Sequence, residues 1–181
     1  MSETKENKGS LIYDVVEIMV TAAVTVAVLF IFLCRTVGVS GSSMVPTLED
    51  GDRIILSAAV FEPQRGDIVV TCQPSKVSYI EPTLVKRVIA TGGQTVDIDF
   101  AEGVVYVDGE ALDEPYINEI TRESEGFQGP LTVPEGYVFV MGDNRNRSTD
   151  SRDARVGLIR EDYLLGRALF RVSPFGKFKI G

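Results

Sequence analysis

Histidine is absent from all 181 residues of the chain. That one absence removes Ser-His and Cys-His catalysis, His-Glu-x-x-His metallopeptidases and nearly all zinc chemistry. Cysteine occurs twice, at Cys34 and Cys72, too far apart for a C-x-x-C pair and too few for a disulfide framework or a thiolate cluster. Positive charge is scarce as well: 18 Lys and Arg against 26 Asp and Glu leave a formal charge of -8. Nucleic acid, which is bound by neutralising its phosphates, is therefore not an expected partner. No motif calls for a metal or an organic cofactor. Internal repeats and low-complexity tracts are missing too, and no long amphipathic helical pattern occurs in the outer part of the chain.

What is present begins with an apolar run. From Ile18 to Cys34, "IMVTAAVTVAVLFIFLC" carries no charge over seventeen residues, and Val15, Val16 and Val37 to Val39 extend it. About 20 apolar residues span a bilayer, with about 17 at the low end, and Glu17 and Arg35 can reach outward to the interfaces. A helix of a soluble domain would show a polar stripe. A cleavable secretion signal would have a basic start and an apolar region of about 7–15 residues, whereas "MSETKENKGS" is mixed in charge. The run reads as an uncleaved anchor in membrane lipid. Lys5 and Lys8 before it, against Arg35 after it, favour an N-terminus inside the cell. The expected layout is a cytoplasmic tail over 1–12, a transmembrane helix over 13–37 and an extracytoplasmic domain over 38–181.

Beyond the anchor the apolar period becomes two. "TVDIDF" alternates Val96, Ile98 and Phe100 with Asp97 and Asp99, as a half-buried strand does. "VVYVDGEAL" sets Asp108-Gly109 between apolar residues, a strong hairpin signal. "RIIL", "DIVVTC", "LVKRVIA", "YVFVMGD" and "GRALFRV" read as further short strands. The fold class is mainly β: an antiparallel-sheet catalytic domain behind one N-terminal transmembrane helix. Residues 113–134 are polar and weakly patterned, an excursion from the sheet.

Three stretches carry chemistry. "SGSSMVPTLEDGD", Ser40 to Asp52, is too constrained for a plain linker, since Pro46 fixes one backbone angle and Met44 and Leu48 need burial. It suits a loop that holds one hydroxyl in place. Without histidine, the remaining common base for a serine is a neutral lysine. Of six lysines, Lys5 and Lys8 precede the anchor, Lys76 sits in "PSKVS", and Lys177 and Lys179 end the chain. Lys86 alone lies in an apolar strand, "LVKRVIA", where burial would lower its pKa from ~10.4 toward ~7–8. The alternative is a strand-edge lysine with its ammonium in water. The third stretch, "MGDNRNRSTDSR", reads as a loop of crossed ion pairs or as a solvated charged turn; its serines, Ser148 and Ser151, can hydrogen-bond a buried amine.

Together these stretches resemble the nucleophile, lysine and G-D-N-R-x-x-S-x-D-S-R boxes of the type I signal peptidases, in family order behind an anchor. The resemblance implies Ser43 as nucleophile, with its backbone N–H at the oxyanion, and Lys86 as general base. It implies Ser148 as the hydroxyl that orients Lys86, and Arg87–Asp143 and Asp150–Arg152 as ion pairs stiffening the site. It implies secretory precursor proteins as partners, with Met44, Leu48 and Val85 as candidate linings of shallow pockets for small side chains. Two positions depart from many relatives: Gln94 stands where an acid is common, and Gly41 where some members have a serine that helps bind the oxyanion. A self-cleaving Ser-Lys regulator and a tethered β-domain that binds exported chains uncut are the other functions considered.

Overall fold

The computed structural model describes residues 3–57, 59, 61–73 and 83–173, with side chains described outside 3–10 and 29–34. Lys76, Lys177 and Lys179 lie outside the described residues, as do the side chains of Lys5, Lys8 and Cys34. The chain divides into two compact units, Met1–Arg35 and Thr36–Gly181.

The first unit is one helix, α1, over Glu3–Leu33. Its Leu11–Val28 window has a mean hydropathy of 2.0 with none of it buried, which makes the helix long and apolar enough to cross a membrane. Eighteen residues at 1.5 Å each reach about 27 Å, close to the ~30 Å hydrocarbon core. The helix ends earlier than the expected 37. Cys34–Gly38 forms strand β1 instead. β-Branched Thr36 and Val37 favour the pleated state, and Gly38 weakens a helix.

In the second unit the strands are β2 Arg53–Ser57, β3 Ile68–Cys72, β4 Thr83–Thr91, β5 Thr95–Asp99, β6 Val104–Val107, β7 Glu110–Ala111, β8 Leu131–Thr132, β9 Tyr137–Met141, β10 Ile159–Arg160 and β11 Leu164–Ser173. They build a seven-stranded sheet, β1-β2-β11-β3-β4-β9-β10, and a four-stranded sheet, β7-β6-β5-β8. The pairings of β2 to β11 are antiparallel. The alternation in "TVDIDF" is realised: Val96 and Ile98 are buried while Asp97 and Asp99 face out. Asp108 and Gly109 both take positive φ, 55° and 81°, as a primed hairpin turn requires. Between β7 and β8 the chain forms no strand, and β8 then pairs with β5.

Two apolar clusters set the stage for the site. Ile89 and Ala90 of β4 and Phe139 and Met141 of β9 pack with Val96, Ile98, Val105 and Val107, so residues of both sheets share one apolar cluster. A second cluster gathers Met44 and Leu48 with Ile54, Leu56, Ile68 and Val70. Burying a side chain such as Met44 or Leu48 is worth about 1.5–3 kcal/mol, so the Ser40–Gly51 loop is anchored by its own apolar residues. Its base is closed by Val39 N–H to Asp52 O (2.8 Å) and Gly51 N–H to Val39 O (3.0 Å). Asp52 in turn accepts from Glu49 N–H (2.9 Å) and from Arg171 of β11 (2.6 Å), both side chains of this ion pair being buried. Arg171→Met leaves the Asp52 carboxylate buried without its cation. The expected loss is about 3–5 kcal/mol of folding stability, read from a denaturant midpoint; a loss below 1 kcal/mol contradicts the clamp.

Candidate active site

Ser43 sits in the first turn of its loop, half-buried, with Met44 pinned directly beneath in the apolar cluster. Its backbone is fixed from the other side by Asn144, whose N–H donates to Ser43 O (3.0 Å) and whose Nδ2 donates to Ser42 O (3.0 Å). Among the described residues, nothing accepts a hydrogen bond from the Ser43 N–H. Gly41 has φ +85°, a conformation that side chains resist, and its N–H donates to Asp50 (2.8 Å).

Lys86 is on β4, an inner strand between β3 and β9, opposite Val69 in register. β9 joins β4 only from Arg87, one residue on, yet Lys86 is 3% exposed, so its ammonium does not reach out into water. Its Nζ lies 2.7 Å from Ser43 Oγ and donates to Val85 O at 3.1 Å. Burial lowers the pKa of this amine from 10.5 to about 8. Asp150 and Asp143 push it back up, and Arg152 assists burial. The balance leaves a substantial neutral fraction near neutral pH.

The loop from Gly142 to Arg152 is a lattice of buried charge rather than a solvated turn. Arg87, next to Lys86 and pointing to the opposite side of the strand, takes Asp143 in a fork (2.8 and 2.7 Å) and donates to Gly66 O. Thr47 of the Ser40–Gly51 loop donates to the same carboxylate. Arg152 forks onto Asp150 (both 2.9 Å). Asp150 also accepts from Gly142 N–H (3.0 Å) and from Ser148 Oγ (2.7 Å). Ser148 is buried in the lattice, and its hydroxyl, among the described residues, bonds to Asp150 and not to Lys86. Ser151 serves the sheet, accepting from Val140 N–H (3.0 Å).

A cleft of about 280 Å³ opens beside Ser43 and Lys86, walled by Val37–Ser40 on one side and Thr83–Val85 on the other, with Met44 at its floor. Met44 and Val85 both line this cleft. Leu48, fully buried, lies in the core beneath and does not line it. Gln94 caps a turn: it accepts from Thr91 N–H (3.0 Å) and donates to Asp108 (3.1 Å), tying the β4–β5 corner to the β6–β7 hairpin. Among the described residues, no three His, Cys, Asp or Glu side chains gather as a metal site needs. Sequence reasoning missed Asn144, Thr47, Tyr116, Glu114 and Arg145. Two of them, Asn144 and Arg145, lie inside the quoted "GDNRNRSTDSR" stretch, whereas Glu114 and Tyr116 sit in a segment with no local signature.

Residues 12–173 match the family described as signal peptidase, peptidase S26. The chain belongs to this family. It is 37% identical to signal peptidase I of Bacillus licheniformis over 99% of this chain and 98% of that protein. It is 38% identical to signal peptidase I T of Bacillus subtilis over 87% and 86% of the two chains. A signal peptidase I crystal structure from Enterococcus faecalis aligns with 60% of this chain and 98% of its own, at 32% identity and a TM-score of 0.49. Membership in the S26 peptidases makes the chain a hydrolase of the serine endopeptidase class.

Within this S26 site Gly142 is the tightest position. A Cβ there would come within 2.4 Å of Ser43 O and 2.3 Å of Ser148 Oγ. Gly142→Ala is expected to push the two loops apart, costing about 1–3 kcal/mol by overpacking and abolishing peptidase activity. A Gly142→Ala protein with wild-type melting and wild-type turnover contradicts the packing described.

Proposed function

We propose that this chain is a membrane-anchored signal peptidase that cuts exported precursors by a Ser-Lys dyad. The observation that carries the reading is the 2.7 Å approach of Lys86 Nζ to Ser43 Oγ inside a buried site. Neutral Lys86 takes the proton of Ser43 Oγ as that oxygen attacks the scissile carbonyl. The resulting ammonium then protonates the leaving amine, and the signal-peptide side stays on Ser43 as an ester. Lys86, neutral again, draws a proton from water, which attacks the ester and frees the enzyme. The Ser43 N–H faces the charge that develops on the carbonyl oxygen; one such donor is worth about 10²–10³ in kcat. Gly41 adds no hydroxyl, and its positive φ is the reason a glycine stands there.

Ser148 acts on Lys86 through Asp150: by donating to that carboxylate, together with Arg152, it spreads a negative charge that otherwise raises the amine pKa. The Arg87–Asp143 and Asp150–Arg152 forks hold the two boxes in place. The precursor lies extended in the cleft. β1 pairs only with β2, and β9 joins β4 only from Arg87 onward, so among the described residues both walls offer unpaired backbone to a strand laid between them. Met44 and Val85 form the shallow lining that favours small residues at the cleavage point. The domain layout follows: 1–12 inside, α1 through plasma-membrane lipid, and the domain from about residue 38 outside. Nine residues stand between Leu33 and Ser43, so at most about 35 Å of chain joins them.

Incubation of the full-length chain with a secretory precursor, followed by N-terminal sequencing of the product, tests this. Cleavage after a small residue is expected, with Ser43→Ala and Lys86→Ala folded but at least 10³-fold slower. Lys86→Arg fails as well, because guanidinium stays protonated. Below pH 8 the amine holds its proton and cannot accept another, so kcat/KM falls on the acid side with a midpoint near 8. Substantial cleavage by folded Lys86→Ala, or an acid midpoint near 10.5, contradicts the mechanism.

A further inference from the structure

The 113–123 segment lies outside all three motifs, yet it grips the catalytic loop along its length. Glu114 forks onto both terminal nitrogens of Arg145 (2.6 and 2.8 Å), and Thr121 Oγ1 accepts a third N–H (3.1 Å). The Arg145 side chain is fully enclosed and Glu114 is 6% exposed. Arg145 Nε donates to Gly142 O (3.1 Å), and Arg145 O accepts from Arg152 (2.6 Å). Asn118 N–H donates to Asp143 O (3.0 Å), and Arg152 donates to Glu123 O (2.7 Å). Tyr116 lies 3.9 Å under the Arg87 guanidinium, its hydroxyl donating to Glu114 (3.0 Å). Gly142, at the far end of this chain of contacts, is the residue that touches Ser43 O, Ser148 and Asp150.

We propose that Glu114 is a positioning residue for the Ser43–Lys86 pair, acting through Arg145 on the Gly142 carbonyl. The inference rests on the dyad reading above. A carboxylate–guanidinium fork fixes both distance and plane, so Glu114 dictates where Arg145 Nε points and hence where Gly142 sits. A misplacement of about 1 Å in reacting groups can cost 10²-fold. Residues of the segment do not line the cleft, so the effect falls on turnover rather than on substrate binding. The charged groups that face Lys86 are Asp143, Asp150 and Arg152. Glu114 is not one of them, so any shift in the pH profile on altering it reports a loosened enclosure of the amine, not a lost charge.

The test uses the full-length enzyme in detergent with a secretory precursor. Glu114→Gln keeps the shape but breaks the fork: kcat is expected to fall at least tenfold with KM within twofold, and the acid midpoint of kcat/KM to move up from about 8. Glu114→Leu leaves Arg145 buried and unpaired and melts several degrees early. Glu114→Leu with Arg145→Met removes both charges, so melting recovers while kcat stays low, because nothing holds the Gly142 carbonyl. The proposal is overturned if the double variant regains wild-type kcat along with its stability, or if Glu114→Gln keeps wild-type kcat and midpoint. It is overturned too if activity in all variants simply follows the amount of folded protein. Lys86→Ala is run alongside: its inactivity upholds the dyad whatever Glu114 does, and its activity would sink both readings.

Discussion

The ε-amine of Lys86 is held 2.7 Å from Ser43 Oγ in surroundings that solvate a positive charge poorly, and the rest of the domain is arranged around keeping it there. A lysine that titrates at about 8 in the fold and at 10.5 in the open chain works against folding. Below pH 8 the native state must bury the ammonium, at a cost of roughly 3 kcal/mol; the penalty shrinks as pH rises from 8 and is gone above 10.5. On the dyad proposed above, a chain without histidine bears this cost to keep a neutral amine as its base. The pair is accordingly set on β4, paired with β3 at Lys86 and joined by β9 one residue on, and over a cluster in which Met44 and Leu48 lock the Ser40–Gly51 loop.

Burial alone would be undone by the two carboxylates beside the amine. Asp143 and Asp150 both favour its protonated form, and both are bound in forks by arginine, with Thr47 and Ser148 adding hydroxyl donors. These pairs are individually costly to bury. Their value lies in geometry: they join the strand bearing Lys86, the loop bearing Ser43 and the Gly142–Arg152 loop into one rigid frame. The same logic extends outward through Arg145 to Glu114, so a charge network that begins at the nucleophile ends in an otherwise irregular segment.

The strands were legible because a half-buried sheet imposes period two: Val96 and Ile98 turned inward, and Asp108-Gly109 turned the hairpin. The lack of histidine and the apolar setting of Lys86 pointed to Ser43 and Lys86, and the structure brings their side chains to 2.7 Å. Cys34–Gly38 was read as the end of the helix because its apolar character fits a span and a strand equally; pairing with β2 decides it, and pairing is not a local property. Leu48 was named as a candidate pocket lining, but the Met44-to-Leu48 turn sends it into the core. Ser148 was assigned directly to Lys86, whereas its hydroxyl goes to Asp150. Asn144, Glu114 and Tyr116 act through contacts with partners far along the chain, in two cases about 30 and 100 residues away, which no local pattern announces.

The account stands on the neutrality of one amine, and that amine can be titrated directly. In full-length protein labelled with 15N at the lysine side chains, the Lys86 signal is assigned by its loss in Lys86→Ala and followed from pH 6 to 11. The structure predicts a midpoint about 8 for Lys86, with the solvated lysines near 10.4. A Lys86 midpoint above 10 would contradict the account, because an ammonium at neutral pH cannot deprotonate Ser43.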